Sequence, residues 1–248
     1  MTTTASTDAP LIDEDLSADL AAAALALARR FDGGATLWVI SPQWEPHAHH
    51  VAVEFVHPVI MGKRALPSVA LVEPDPVAQC RVATRPGDVV IAVASADQPQ
   101  VIEAMRRAPA WGAETIWIGS GPRPDAGVAD HILWVASDDP MVPATGRFVL
   151  MYHLLWELTH VCFEHPGLLT PEPDECADGA CITCGDEGRI AEVIVPPPAA
   201  LDEALVRMAT GEEYIDVTVI GPVAVNDLVV VHGGTAIALL DDVPEETR

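Results

Sequence analysis

Three cysteines fall within nine residues of the chain, Cys176, Cys181 and Cys184, in the spacing Cys-x4-Cys-x2-Cys. Thiolates are soft metal donors, and so tight a group in a 248-residue chain points to metal or thiol chemistry rather than to a secreted disulfide framework. A structural zinc needs a fourth ligand, and no second Cys-x2-Cys pair completes a ribbon. His232, at the end of a predicted strand, could reach the cluster. A thiolate and an imidazole with open positions suit a low-spin iron carrying strong diatomic ligands, which soft sulfur holds while leaving it transferable. The bland alternative makes His232 a strand cap and the cysteines incidental. Cys80 and Cys162 sit among predicted buried elements and read as core residues.

Histidine and glutamate form two further groups. His47, His50, Glu54 and His57 lie at offsets 0, 3, 7 and 10, the spacing of one helix face. His153, Glu157 and His160 repeat the pattern at offsets 0, 4 and 7. If the two helices pack side by side, imidazoles and carboxylates converge on one cation or share protons as acid and base. The competing reading is a pair of solvated helix faces.

These groups need a scaffold. Ile12 to Phe31 carries a helical apolar rhythm that ends at Asp32-Gly33-Gly34. Five short apolar runs follow, Ala35 to Ile40, Ser68 to Val72, Asp88 to Val93, Glu114 to Ile118 and His131 to Val135, each the length of a buried strand. Helix-like segments at His47 to Val59, Gln98 to Arg107 and Gly146 to Phe163 alternate with them, which predicts a parallel, doubly wound α/β sheet over residues 1–165. Residues 166–180 are rich in proline and acid and read as a linker. Residues 181–248 hold short strand-like runs punctuated by Pro196-Pro197-Pro198, Thr210-Gly211, Gly221-Pro222, Asn226-Asp227 and Gly233-Gly234, a pattern that suits a small β-barrel.

Charge narrows the partners. Acids number 37 against 13 bases, for a net charge of −24, so a nucleic-acid backbone would be repelled. The asymmetry is strongest at the C-terminus, where residues 166–248 hold 17 acids to 3 bases against 20 to 10 in residues 1–165. Lys63 is the sole lysine. Mean hydropathy is +0.25, yet no apolar run approaches the roughly 18 residues of a membrane span. Residues 1–10 lack the basic start and apolar stretch of a signal peptide, and a cytoplasmic location is expected.

The segments His50-Val51-Ala52-Val53-Glu54, Arg64 to Leu71, Gly87 to Ile91 and Asp130 to Leu133 resemble the sugar-isomerase (SIS) domain, closest to its phosphoheptose isomerase branch. The resemblance implies a five-stranded parallel sheet flanked by helices, a homo-oligomer, and His50 and Glu54 as a divalent-metal or proton-transfer pair. Its sugar-phosphate loop falls on Ala94-Ser95-Ala96-Asp97-Gln98, where Ser95 is the one hydroxyl left to bind a ligand. Asp97 would oppose a phosphate dianion by about 1 to 4 kcal/mol at close range. The Gly-rich loop after the first strand is replaced by Ser41-Pro42-Gln43-Trp44-Glu45, and the family's second histidine falls nearest Leu158. These departures predict a half that binds or dimerises rather than isomerises.

Cys181 to Cys184, Gly188 to Val193 and Val223 to Asp241, with its valines running into His232, resemble the HypC/HupF hydrogenase-maturation chaperones, whose domain is a small OB-type barrel. That resemblance implies a [NiFe]-hydrogenase maturation chaperone that carries an Fe(CN)2CO unit on Cys181 or Cys184 and His232. Its partners would be a HypD-like iron-sulfur protein and the hydrogenase large-subunit precursor. The alternative is a metal-dependent sugar-phosphate isomerase built on His50 and Glu54, with the barrel as an accessory.

Overall fold

The computed structural model describes residues 12–137, 139–170, 188–198 and 203–240. Helix α1 (Glu14–Asp32) is capped by the Asp13 carboxylate, which accepts from the Leu16 amide, and ends at Gly33. Five parallel strands follow: β1 (Leu37–Ile40), β2 (Ser68–Leu71), β3 (Val89–Val93), β4 (Glu114–Ser120) and β5 (His131–Val135). They lie in the order β2-β1-β3-β4-β5, so after β2 the winding crosses back over β1 to the other side of the sheet and places helices on both faces. Central β3 is buried along its whole length, which explains why its sequence is continuously apolar rather than alternating.

Side chains of alternate strand positions divide between two cores. On one face Leu37, Val39, Ile91 and Ile118 pack against α1, α2 (Glu45–Val56) and α5 (Gly146–Glu164). On the other, Ile40, Val90, Ala92 and Trp117 pack against α3 (Pro76–Ala83), α4 (Pro99–Arg107) and the 3-10 turn Ala108–Trp111. The strand expectations match within three residues at every end. Helix α3 is the element that the sequence pattern does not reveal. It has only eight residues, begins with Asp75 as N-cap and proline at its first position, and buries just Pro76 and Cys80, too little for a visible apolar rhythm.

The C-terminal strands β6 (Arg189–Val195), β7 (Glu203–Met208), β8 (Gly211–Asp216), β9 (Leu228–His232) and β10 (Thr235–Leu240) close into a barrel in the order β10-β8-β7-β6-β9. Most neighbours are antiparallel, and a single parallel bridge, Thr235 to Asp216, completes the closure. The turn joining β9 to β10 uses Gly233 and Gly234, both at positive φ (57° and 81°), a backbone state that costs glycine little. Tyr214 to Ile220 is expected as one strand. Instead the strand stops at Asp216, whose carboxylate accepts the Thr218 amide and turns the chain. Among the described residues no helix is long and apolar enough to cross a membrane.

The barrel is seated on the second core. Ile190, Leu228 and Leu240 join the cluster around Trp111 and Trp117. At the centre of this seam Glu192 of β6 is 1% exposed. Its two oxygens take Arg107 Nη1 at 3.1 Å, Arg81 Nε at 3.1 Å and the Trp111 indole N–H at 3.2 Å. Two guanidiniums and an indole offset the cost of burying one carboxylate.

Candidate metal centre

Helices α2 and α5 lie side by side on one face of the sheet and bring three side chains together. His153 Nε2 is 3.1 Å from Glu54 Oε1 and 3.1 Å from His50 Nε2, and His50 Nε2 is 3.7 Å from the same Glu54 oxygen. His50 and Glu54 are one helical turn apart, and His153 arrives from the facing helix. A tetrahedral zinc site with 2.0–2.1 Å bonds separates its ligand atoms by roughly 3.3 Å. The three atoms are thus spaced as ligands of a divalent cation would be, and His50, Glu54 and His153 are the residues that would hold it. Three ligands leave the fourth position open, as in catalytic rather than structural zinc sites. The side chains of His50 and His153 are 39% and 43% exposed, so the cluster is reached from solvent.

A second tier fixes the rings. His47 is buried, and its Nε2 lies 2.5 Å from the Pro143 carbonyl, which can only accept, so the proton sits on Nε2 and leaves Nδ1 bare. Burial lowers the pKa of His47 despite that carbonyl, and the neighbouring His50 adds to the effect. Tyr152 is pushed up to about 12, by burial first and by the Glu54 charge second, so it remains a hydroxyl. Its oxygen is 2.8 Å from His50 Nδ1 and 3.5 Å from His47 Nδ1. For His50 Nε2 to offer a lone pair, its Nδ1–H must donate to the Tyr152 oxygen. The hydroxyl hydrogen then turns toward the bare nitrogen of His47.

The remaining members of the two stripes do other work. His57 is the C-cap of α2 and stands exposed, outside the helix that was expected to carry it. His49 pairs with Glu45 at 3.2 Å. His160 is buried against the carbonyls of Trp156 and Arg64, and Glu157 faces Lys63 at 3.5 Å. Leu158, on which the family's second histidine was expected to fall, packs against the apolar core. His153, five residues earlier, is the imidazole that meets His50 and Glu54. Tyr152 and His47 as orienting groups were not foreseen, because their role depends on the relative rotation of α2 and α5.

Ser95 follows β3 and donates through both its amide (3.2 Å) and its hydroxyl (2.6 Å) to the carboxamide oxygen of Gln43. Gln43, in the segment that replaces the Gly-rich loop, thus takes the two donors an anion would use. Cys181 and Cys184, with Cys176, lie outside the described residues. His232 is the last residue of β9 and half-buried. Cys80 and Cys162 are buried free thiols; burial pushes Cys80 up to about 12 and raises Cys162 as well.

No family model matches the chain, and no curated protein does so either. Solved structures do. The phosphoheptose isomerase of Francisella tularensis is 19% identical, covers 60% of this chain and 88% of its own, and superposes with a TM-score of 0.53. That of Neisseria gonorrhoeae is 20% identical over 60% of this chain and 86% of its own, with a TM-score of 0.46. The sugar isomerase domain of an RpiR transcription factor from Sphaerobacter thermophilus is 17% identical over 64% and 83%, again with a TM-score of 0.46. On the first of these likenesses, the N-terminal three-fifths of the chain has the fold of a sugar-isomerase domain.

Proposed function

We propose that the chain is a metal-dependent isomerase of sugar phosphates built on a sugar-isomerase fold, with the barrel as an accessory. The observation that carries this reading is the triangle of His50 Nε2, Glu54 Oε1 and His153 Nε2, whose edges of 3.1, 3.1 and 3.7 Å fit a divalent cation. When bound, the metal supplies Lewis-acid polarisation of a substrate carbonyl or hydroxyl. Glu54 is the group assigned to hold or move a proton, since it is the carboxylate that faces both imidazoles. His50 and His153 would hold the metal beside it through their Nε2 atoms. Ser95 binds the substrate anion once Gln43 releases its two donors. The test is cobalt(II) titration of the full chain together with NMR of aldose and ketose phosphates. One tetrahedral cobalt per chain and cobalt-dependent interconversion, both lost in Glu54→Gln, are expected. Turnover without metal, or no turnover of any aldose or ketose phosphate, overturns it.

A second reading has one observation behind it, the closed barrel β6 to β10 with His232 at the end of β9. Under it the C-terminal part carries the Fe(CN)2CO unit on Cys181 or Cys184 and His232 and meets a HypD-like protein and the hydrogenase large-subunit precursor. Infrared spectra of protein purified without air, in a host that makes hydrogenase, test it. Cyanide and carbonyl bands lost in His232→Ala support it, and their absence from the unaltered chain rejects it.

A further inference from the structure

The chain carries only 13 basic residues, yet three of its arginines surround one cleft. Between α3, the 3-10 turn after α4 and the barrel strands β7 and β8 lies a cavity of about 540 Å3 lined by Arg81, Arg85 and Arg207. Glu212 is the one carboxylate in its wall, 3.9 Å from Arg207. Arg81 shares Glu192 with Arg107, which also pairs with Glu103. Arg85 is exposed and spends one nitrogen on the carbonyls of Val82, Ala83 and Thr84 at the end of α3. Arg85 meets the carboxylate of Asp88 through its main-chain amide, which donates at 2.8 Å.

Arg207 Nη1 donates to the main-chain carbonyl of Arg81 at 3.2 Å, which ties β7 to α3 across the seam. Thr84, 6% exposed, lines the same cleft and its hydroxyl has no hydrogen-bond partner. A second cleft, lined by Arg29, by Arg30 paired with Glu114, and by Asp88, adjoins the first through Arg85 and Pro86. In a protein of net charge −24 this is a local reversal of sign. At about 0.1 M salt, charges beyond roughly 10 Å are screened, so the nearby arginines decide what enters.

We propose that this seam cleft is an anion-binding site, distinct from the metal centre, that takes a phosphate-bearing small molecule. Guanidinium forks match phosphate oxygens in pairs, and the volume falls within the usual range for small-molecule sites. Because its walls come from both α3 and the barrel, ligand binding there reports on how the two sheets are seated.

Calorimetric titration of the full chain with inorganic phosphate and with pyrophosphate, at constant ionic strength set by sodium chloride, tests the site. Saturable one-to-one binding is expected, weakened roughly tenfold or more in Arg85→Ala and in Arg207→Ala. Arg85→Lys, which keeps the charge but not the fork, should fall between. Arg85 is exposed, so its loss leaves the fold intact, and unfolding by urea run in parallel verifies this. No saturable binding overturns the proposal. So does binding of unchanged strength in both alanine variants, since the anion then sits elsewhere.

Discussion

The Tyr152 hydroxyl stands 2.8 Å from Nδ1 of His50, on the side of the ring opposite to the nitrogen that faces Glu54 and His153. The hydroxyl therefore governs which tautomer His50 adopts. Outer partners of this kind raise metal affinity by 10- to 100-fold in known metal sites. Tyr152→Phe keeps the buried ring and removes only the oxygen. Zinc affinity, measured by competition with a chelator, should fall by about that factor while the urea midpoint of the metal-free protein moves little. Equal affinity in the two proteins would show that the helices alone orient the ring.

The seam between the two sheets depends on Glu192. Replacing it with alanine leaves the Trp111 indole without its acceptor and takes a shared carboxylate from Arg81 and Arg107, although Arg107 keeps Glu103 and the Asn226 carbonyl. Breaking a buried pair from one side costs about 3–5 kcal/mol. Glu192→Ala should lose that much in urea unfolding, and Glu192→Gln less, because an amide oxygen still accepts from the indole. A loss below 1 kcal/mol would mean that apolar contacts at Ile190, Leu228 and Leu240 seat the barrel unaided.

Much of this arrangement was legible in the residues. Five apolar runs bounded by turn residues became β1 to β5 because each is buried on one or both faces. The same logic located the barrel strands and the glycine turn at Gly233-Gly234. What escaped the pattern depends on tertiary placement. Nothing local distinguishes His153, which reaches Glu54, from His160, which is spent on two carbonyls. Glu192 reads as a polar strand residue, and only the docked Arg81 and Arg107 explain its burial.

Packing between β4 and β5 yields a further expectation. A Cβ built on Gly119 would sit 2.2 Å from the Trp134 ring and 2.6 Å from the Ala94 carbonyl oxygen. The indole N–H of Trp134 is tied to the Gly121 carbonyl at 2.9 Å, so the ring cannot simply swing aside. Gly119→Ala should destabilise by about 1–3 kcal/mol, the usual cost of overpacking. Gly119→Ala combined with Trp134→Leu should recover part of that loss. Full additivity of the two changes in urea unfolding would refute the contact.

Acid sensitivity follows from Glu114, at the start of β4. Burial alone would raise its carboxyl, but hydrogen bonds from His131 at 2.9 Å and Arg30 at 2.6 Å reverse this and hold it below the ordinary value of 4.5. A carboxylate whose folded pKa is depressed binds fewer protons in the folded than in the unfolded state, so stability rises with pH through that window. Its contribution is complete above the unfolded value and disappears as pH falls through the lowered folded one. Glu114→Gln should therefore be less stable than the unaltered chain at pH 7, and the gap should close as pH drops below about 4.5. Urea midpoints of both proteins between pH 7 and pH 3 give the comparison. A gap that stays constant across that range would show that Glu114 acts through packing, with its charge contributing nothing.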